Sequence, residues 1–171
     1  YDVPSIHGPK DAAEAFERVF HLTEEAQEVL VAFFLSTKNE IVGASLITRG
    51  SLTESMVPSS QIFKAALLHN AASIMVAHNH PSGDPTPSTA DIMATQHLED
   101  AGKVMEIKVL DHIIVGDGTA LSILEWNREI YETSESEREL ANRIKFPIPS
   151  IKKTKRMRKM KEEDNSQISL F

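Results

Sequence analysis

Apolar residues follow two different periods along the first 131 residues, which predicts a domain built from both strands and helices. Five segments are rich in branched and aromatic residues and are predicted to be strands: 28–35, 41–48, 73–77, 107–115 and 120–124. Three segments place apolar residues every three or four positions, as an amphipathic helix does: 10–22, 58–71 and 89–103. Their alternation along the chain predicts an α/β fold with a mixed sheet flanked by helices.

Residues 132–171 differ from the preceding 131 in composition and are predicted to form a separate tail. Ser134 and Glu137 have the spacing of a capping box, which predicts one short polar helix. From Phe146 a proline-containing segment is expected to be an extended linker. It leads to a basic run, residues 152–161, which we expect to be disordered, and to the C-terminal peptide QISLF.

Charge is distributed unevenly between these two parts. The net charge is −7, but residues 152–161 carry seven of the eighteen Lys and Arg, so residues 1–151 hold 11 basic against 22 acidic side chains. The acidic domain should repel nucleic acid, whereas the basic run is expected to make weak, salt-sensitive contact with DNA. The alternative interpretation of this run is a merely solvated tail.

The composition also bears on cellular location. The absence of cysteine excludes disulfides and thiolate metal sites, and is compatible with a reducing compartment. No segment approaches the eighteen or more apolar residues of a membrane span, and no signal peptide is recognised. We therefore expect a cytoplasmic protein without membrane contact.

Candidate chemistry is concentrated in a short stretch that contains His78-x-His80, seven residues, and then Ser88-x-x-Asp91. Two imidazoles two residues apart on an extended segment project to the same side, and a carboxylate from the next helix can complete three ligands of a tetrahedral ion. Three protein ligands leave one position for water, as in catalytic zinc sites. The alternatives are that the histidines are exposed turn residues and that Ser88 and Asp91 only cap a helix.

The complete pattern resembles the signature of the JAMM (MPN+) metalloproteases, and the segment HNHPSGDPTPS resembles their bacterial RadC branch. The similarity continues through FLSTKNEIVG, TRGSL, IFKAALLHNAASIMVAHNHPSGDP and VLDHIIVGDG, over roughly residues 9–124. The resemblance implies a JAB/MPN fold with a layout like that of cytidine deaminases. It also implies one zinc ion per chain, held by His78, His80 and Asp91.

Two catalytic residues are also implied by the resemblance. Glu28, in QEVLVAFFL, matches the glutamate that transfers protons in this family, although it could simply end a strand. The alternatives for this role are four other glutamates: Glu24, Glu25, Glu40 and Glu54. Ser88 matches the serine that stabilises the oxyanion, a role that adds to capping. His112, in LDHIIV, is predicted to be a packed strand residue and not a ligand.

We therefore expect a zinc-dependent hydrolase with a metallopeptidase or isopeptidase mechanism, acting on a peptide or isopeptide and associated with DNA repair or replication. The alternative is a non-catalytic DNA-repair accessory module with a structural or vestigial metal site, recruited through its tail. A zinc deaminase is excluded because it needs His-x-Glu and Pro-Cys-x-x-Cys. The H-E-x-x-H signature of helical zinc proteases is also absent.

The C-terminal peptide suggests a partner. QISLF resembles the Q-L-x-L-F peptide by which bacterial replication and repair proteins dock on the DNA sliding clamp. Gln167 would supply a hydrogen-bonding amide, and Leu170 and Phe171 would be apolar anchors for a preformed pocket. The alternatives are that these residues fold back onto the domain or match by chance.

Overall fold

A computed structural model describes residues 5–50, 57–133 and 135–148. Within these residues the strands form one six-stranded sheet in the order β2-β1-β3-β4-β5-β6. The strands are β1 (Val29–Leu35), β2 (Ile41–Arg49), β3 (Ser73–Asn79), β4 (Lys108–Val115), β5 (Thr119–Ser122) and β6 (Phe146–Pro147). The helices are α1 (Pro9–Phe20), α2 (Ser59–Leu68), α3 (Thr89–Met105), α4 (Ile123–Glu129) and α5 (Glu137–Ile144), with a 3-10 turn at Leu22–Glu24.

The sheet is mixed, as the sequence predicted. β3 and β4 are parallel and α3 connects them, while β1–β2, β1–β3, β4–β5 and β5–β6 are antiparallel. The carboxyl ends of β3 and β4 therefore lie side by side, with Asn79 opposite Val115. Because β1 runs the other way, its amino end lies at this same edge, and Leu30 pairs with His78. Ligands commonly bind at such an edge of an α/β sheet.

Helices cover both faces of the sheet. All seven residues of β1 are buried, because alternate side chains point into two different cores. One core packs against α1, where the rings of Phe16 and Phe33 stack with centroids 4.0 Å apart. The other core contains residues of α2 and α3, including Phe63 and Leu98. Among the described residues, no helix is both long and apolar enough to cross a membrane.

The end of β5 differs from the prediction. The sequence indicated a strand over 120–124, but β5 ends at Ser122, where α4 begins. Ser122 is the N-cap of this helix, since its hydroxyl accepts a hydrogen bond from the amide of Glu125 at 3.1 Å. Ile123 and Trp126 then face the interior from consecutive turns. The apolar alternation of a short strand and the first turn of a buried helix are indistinguishable in a window this small.

The segment assigned to the tail contains structure that packs on the domain. A short helix was predicted, but its capping box consists of Ser136 and Glu139, two residues beyond the expected pair. Leu140 of α5 packs against Trp126 of α4 in a small third core. Phe146, which was expected to begin an extended linker, is buried and pairs with Ala120 of β5. The basic run 152–161 and the QISLF peptide lie outside the described residues.

A buried carboxylate ties β4 to α4. Asp111 accepts hydrogen bonds from its neighbour's amide, His112 N at 2.8 Å, from Leu124 N at 3.2 Å and from the Ser122 hydroxyl at 2.7 Å. Its side chain is nonetheless largely removed from water, and this burial raises the pKa of Asp111 to about 6. The folded state therefore binds a proton at this site more tightly than the unfolded chain, whose aspartate has the ordinary value of 3.8.

We expect Asp111→Asn to change how the free energy of unfolding depends on pH. Because the pKa of Asp111 is higher in the folded state than in the unfolded chain, this residue stabilises the fold below about pH 4. This contribution, about 3 kcal/mol, is lost as the pH rises through 6. Asparagine keeps the shape without ionising: its oxygen can still accept from the amides of His112 and Leu124, and its NH2 group can donate to the Ser122 hydroxyl as a protonated Asp111 would. The variant should therefore gain about 3 kcal/mol relative to the unsubstituted protein between pH 4 and pH 8. Urea unfolding of both metal-free proteins measures this difference. A difference that stays constant over that range would contradict the assignment.

Candidate metal centre

Three side chains meet where β3 ends and α3 begins. His78 is the penultimate residue of β3, His80 follows the strand, and Asp91 lies in the first turn of α3. The Nε2 atoms of the two histidines are 3.0 Å apart. The carboxylate oxygens of Asp91 lie 3.1 Å from His78 Nε2 and 3.4 Å from His80 Nε2. The three residues that the sequence singled out therefore form one compact group.

This group fits a single cation in both donor type and spacing. Two imidazole nitrogens and one carboxylate oxygen are ligands that zinc commonly takes in proteins. Metal–ligand bonds of about 2.0 to 2.2 Å in a tetrahedron separate neighbouring ligand atoms by about 3.3 to 3.6 Å. The observed separations, 3.0 to 3.4 Å, are only slightly shorter. The group can thus hold a metal ion with three protein ligands and leave a fourth position free.

The outer nitrogen of each histidine has its own partner. His80 Nδ1 lies 2.7 Å from the backbone oxygen of Asp84, and a carbonyl can only accept, so His80 carries its proton on Nδ1. Its Nε2 lone pair then faces the group. His78 Nδ1 lies 2.7 Å from Nε2 of His112, a wholly buried residue of β4. Metal-binding histidines characteristically use the second nitrogen in this way.

The helix cap aims the carboxylate. Ser88 is the N-cap of α3, as predicted, and its amide and hydroxyl both donate to Asp91 Oδ2, at 2.7 and 2.6 Å. The Asp91 amide donates back to the Ser88 hydroxyl at 3.2 Å, which completes a capping box. These bonds fix the carboxylate plane and leave Oδ1 directed at His78. Capping the helix and orienting the ligand are therefore one arrangement.

Electrostatics favour an ionised Asp91. Burial alone would raise the pKa of Asp91, but the adjoining imidazoles of His78 and His80 and the hydrogen bond from the Ser88 hydroxyl hold it well below its usual range. Burial likewise lowers the pKa of His80, yet the hydrogen bonds to Asp91 and Asp84 and the charges of Asp91 and Glu28 outweigh it, so the net shift is upward. A negative, buried carboxylate beside two imidazoles is an environment that attracts a cation.

The loop that carries His80 is anchored to the end of β4. The His80 amide donates to the Val115 carbonyl at 2.8 Å, and the Asp117 amide donates to the Gly83 carbonyl at 2.8 Å. Gly83 has a φ of +85°, in the left-handed region that favours glycine. Gly116 allows the two loops to approach, since a Cβ there would collide with the Gly83 carbonyl. His80 is therefore held although its loop is at the surface.

Glu28 is the residue immediately before β1, at the edge of the sheet that carries this group. β1 and β3 pair Leu30 with His78, and continuing the same register by two residues sets Glu28 opposite His80. Both residues then point to the same face of the sheet. The negative charge of Glu28 contributes to raising the pKa of His80, which is consistent with this proximity.

The residue between the two histidines holds the segment that carries Glu28. Asn79 points to the opposite face, where it is buried, and its Oδ1 accepts from the Val29 amide at 2.8 Å. Its amide group donates to the carbonyls of Glu25 and Gln27, each at 3.1 Å. The backbone on both sides of Glu28 is thus fixed by one side chain. No local pattern pointed to this role, because an asparagine next to a Pro/Gly segment is ordinary turn chemistry.

The other glutamates have different surroundings. Glu25 forms a two-pronged ion pair with Arg49, at 2.6 and 3.2 Å. Glu40 accepts from the Ser36 hydroxyl at 3.1 Å, in the turn between β1 and β2, at the opposite end of β1 from Glu28. Glu24 lies in the 3-10 turn, and Glu54 lies outside the described residues. The tail residues Gln167, Leu170 and Phe171 also lie outside them.

The sequence is similar to known proteins over most of its length. The family model described as a RadC-like JAB domain matches residues 6–129. The chain is 46% identical over 121 residues to a UPF0758 protein of Staphylococcus carnosus, which covers 70% of this chain and 52% of that protein. It is 45% identical over 119 residues to a UPF0758 protein of Methanosarcina acetivorans, covering 69% and 51%. The chain thus spans about half the length of these relatives, and it belongs to the RadC-like JAB domain family.

Proposed function

We propose that this domain is a zinc-dependent hydrolase that cleaves a peptide or isopeptide bond. The observation that carries the proposal is the three-ligand group with Glu28 beside it, because a structural site needs neither an open position nor an adjacent base. The chemistry that a zinc ion supplies when bound at such a site is Lewis acidity, which polarises a carbonyl oxygen and makes water nucleophilic near neutral pH.

Glu28 is the proposed proton carrier. Its carboxylate takes a proton from the attacking water and returns it to the nitrogen of the leaving amine, so one group serves as base and then as acid. Its position opposite His80 supports this role, because a group that transfers a proton must lie near the residues that would hold the metal ion. The hydrogen bonds of Asn79 hold the backbone on both sides of Glu28.

Ser88 is proposed to donate a hydrogen bond to the oxygen of the tetrahedral intermediate. In the structure its hydroxyl donates to Asp91 Oδ2 at 2.6 Å, so a turn about its side-chain bond must precede donation to substrate. The amide of Ser88 still donates to Asp91 Oδ2 after that turn, and keeps the carboxylate oriented. The two roles of Ser88 therefore use different donors.

An alternative function is a non-catalytic accessory module in DNA repair, whose metal site only stabilises the fold. We propose in either case that the tail recruits the protein to DNA-bound machinery. The basic run 152–161 would contact phosphates, and QISLF would dock on the sliding clamp. Two bulky apolar residues that follow a charged, polar segment favour an external pocket as their destination.

We expect Glu28→Gln to keep one zinc ion per chain and to lose hydrolysis by about 10²- to 10⁴-fold, the usual contribution of acid–base catalysis. His78→Ala, His80→Ala and Asp91→Ala should lose the metal itself. Metal content by mass spectrometry and cleavage of a quenched-fluorescent peptide and isopeptide library measure both effects. Glu40→Gln, in the turn between β1 and β2, and His97→Ala, on an exposed face of α3, are matched controls.

The outcomes separate the functions. A protein that takes up no added zinc would refute the enzyme and the metal site together. Zinc uptake without cleavage of any library member would favour the accessory module. Cleavage that survives Glu28→Gln would assign the base to another residue.

Asn79→Ala should release the segment before β1 without removing a metal ligand. The Val29 amide loses its acceptor in a buried site, so we expect its hydrogen exchange to quicken about tenfold or more. Hydrolysis should fall through kcat, because Glu28 is no longer held. Amide exchange by NMR and zinc content give the two readouts, with the exposed Asn142→Ala as control. Unchanged exchange at Val29 would show that Asn79 does not hold this segment.

The tail proposal predicts that a peptide covering residues 160–171 binds the bacterial sliding clamp with micromolar affinity. Replacing Leu170 and Phe171 with alanine removes both anchors and should abolish binding. Fluorescence polarisation of the labelled peptides measures the affinity, and a scrambled peptide of the same composition is the control. Equal binding by the doubly substituted peptide would rule out the motif.

A further inference from the structure

A chain of short hydrogen bonds runs behind the metal-facing atoms and joins two of the three ligands. Thr95 Oγ1, on α3, lies 2.7 Å from the backbone oxygen of Asp91 and 2.7 Å from His112 Nδ1. His112 Nε2 lies 2.7 Å from His78 Nδ1. All of these side chains are buried, so water does not compete for the bonds. The chain begins at the main chain of one ligand and ends at the ring of another.

Donor and acceptor counts fix the direction of each bond. A carbonyl only accepts and a hydroxyl has one proton, so Thr95 donates to Asp91 and its oxygen accepts from Nδ1–H of His112. A neutral imidazole has one N–H, so His112 Nε2 must accept. His112 is wholly buried, and its two ring nitrogens face Thr95 and His78 and not a carboxylate, so its surroundings favour the neutral ring over an unpaired buried charge. His78 therefore donates from Nδ1, and its Nε2 lone pair faces His80 and Asp91.

We propose that Thr95 and His112 are positioning residues that hold His78 in the one tautomer able to bind a metal ion. Without the Thr95 hydroxyl, the Nδ1–H of His112 has no acceptor in the interior. If the proton of His112 moves to Nε2, no donor is left unsatisfied, but His78 Nδ1 must then accept a hydrogen bond from His112. The proton of His78 then lies on Nε2, where an ion would bind. This inference rests on the metal-binding part of the proposed function and makes no use of hydrolysis.

Thr95→Val tests the proposal, because it removes the hydroxyl and keeps the volume. Thr95→Ser is the matched variant that keeps the hydroxyl and loses a methyl group. We expect zinc affinity, measured by competition with a chelator, to fall about 10- to 100-fold in Thr95→Val and to stay within about threefold in Thr95→Ser, as for other residues behind metal ligands. Affinity unchanged in Thr95→Val, or lost equally in both variants, would overturn the proposal.

Nitrogen-15 NMR of the histidine rings gives a readout that packing alone would not change. In the unsubstituted protein His112 should be protonated on Nδ1 and bare on Nε2, both without metal and with zinc. In Thr95→Val without metal the proton should move to Nε2. His112 protonated on Nε2 in the unsubstituted protein would refute the inference. If that protein binds no zinc, the proposed function fails, and the tautomer of His112 still decides this point.

Discussion

Bringing two imidazole lone pairs and a buried carboxylate to within 3.0–3.4 Å of one another sets the main constraint on this structure. The outer nitrogen of each ring has a partner of its own, so the inner atoms face each other as acceptors. Acceptors this close repel unless a proton or a cation lies between them. The surrounding elements are arranged to hold this unfavourable group together.

The sheet, the end of β4 and the start of α3 each hold one of these three residues in place. The sheet fixes His78 through its pairing with Leu30, and the end of β4 fixes His80 through its amide. The start of α3 fixes Asp91 through a capping box. Because strand, loop and helix each place one ligand, the spacing in sequence is tied to the turn geometry between them. This explains why seven residues separate His80 from Ser88, since they contain the turn that reverses the chain from β3 into α3.

The sequence predicted the mixed sheet well because its buried strands are long runs of branched and aromatic residues, as in β1. It was less informative where a few residues decide, as at Ser122, where a strand changes into a helix within one turn. The three candidate ligands could be identified from their spacing in the sequence and from the family resemblance. The parts contributed by Asn79, Thr95 and His112 depend on contacts between residues 17 to 54 positions apart, which no local pattern contains.

The complete burial of β1 has a consequence for how the site responds to heat. Glu28 precedes a central strand that is enclosed on both faces, and such strands open only when the domain unfolds as a whole. His80, by contrast, lies on a surface loop that a few hydrogen bonds retain. In the metal-free protein, warming should loosen the loop that carries His80 before it disturbs β1, the strand that Glu28 precedes. The loop that carries His80, and not the strand behind Glu28, then sets the upper temperature at which the site remains assembled.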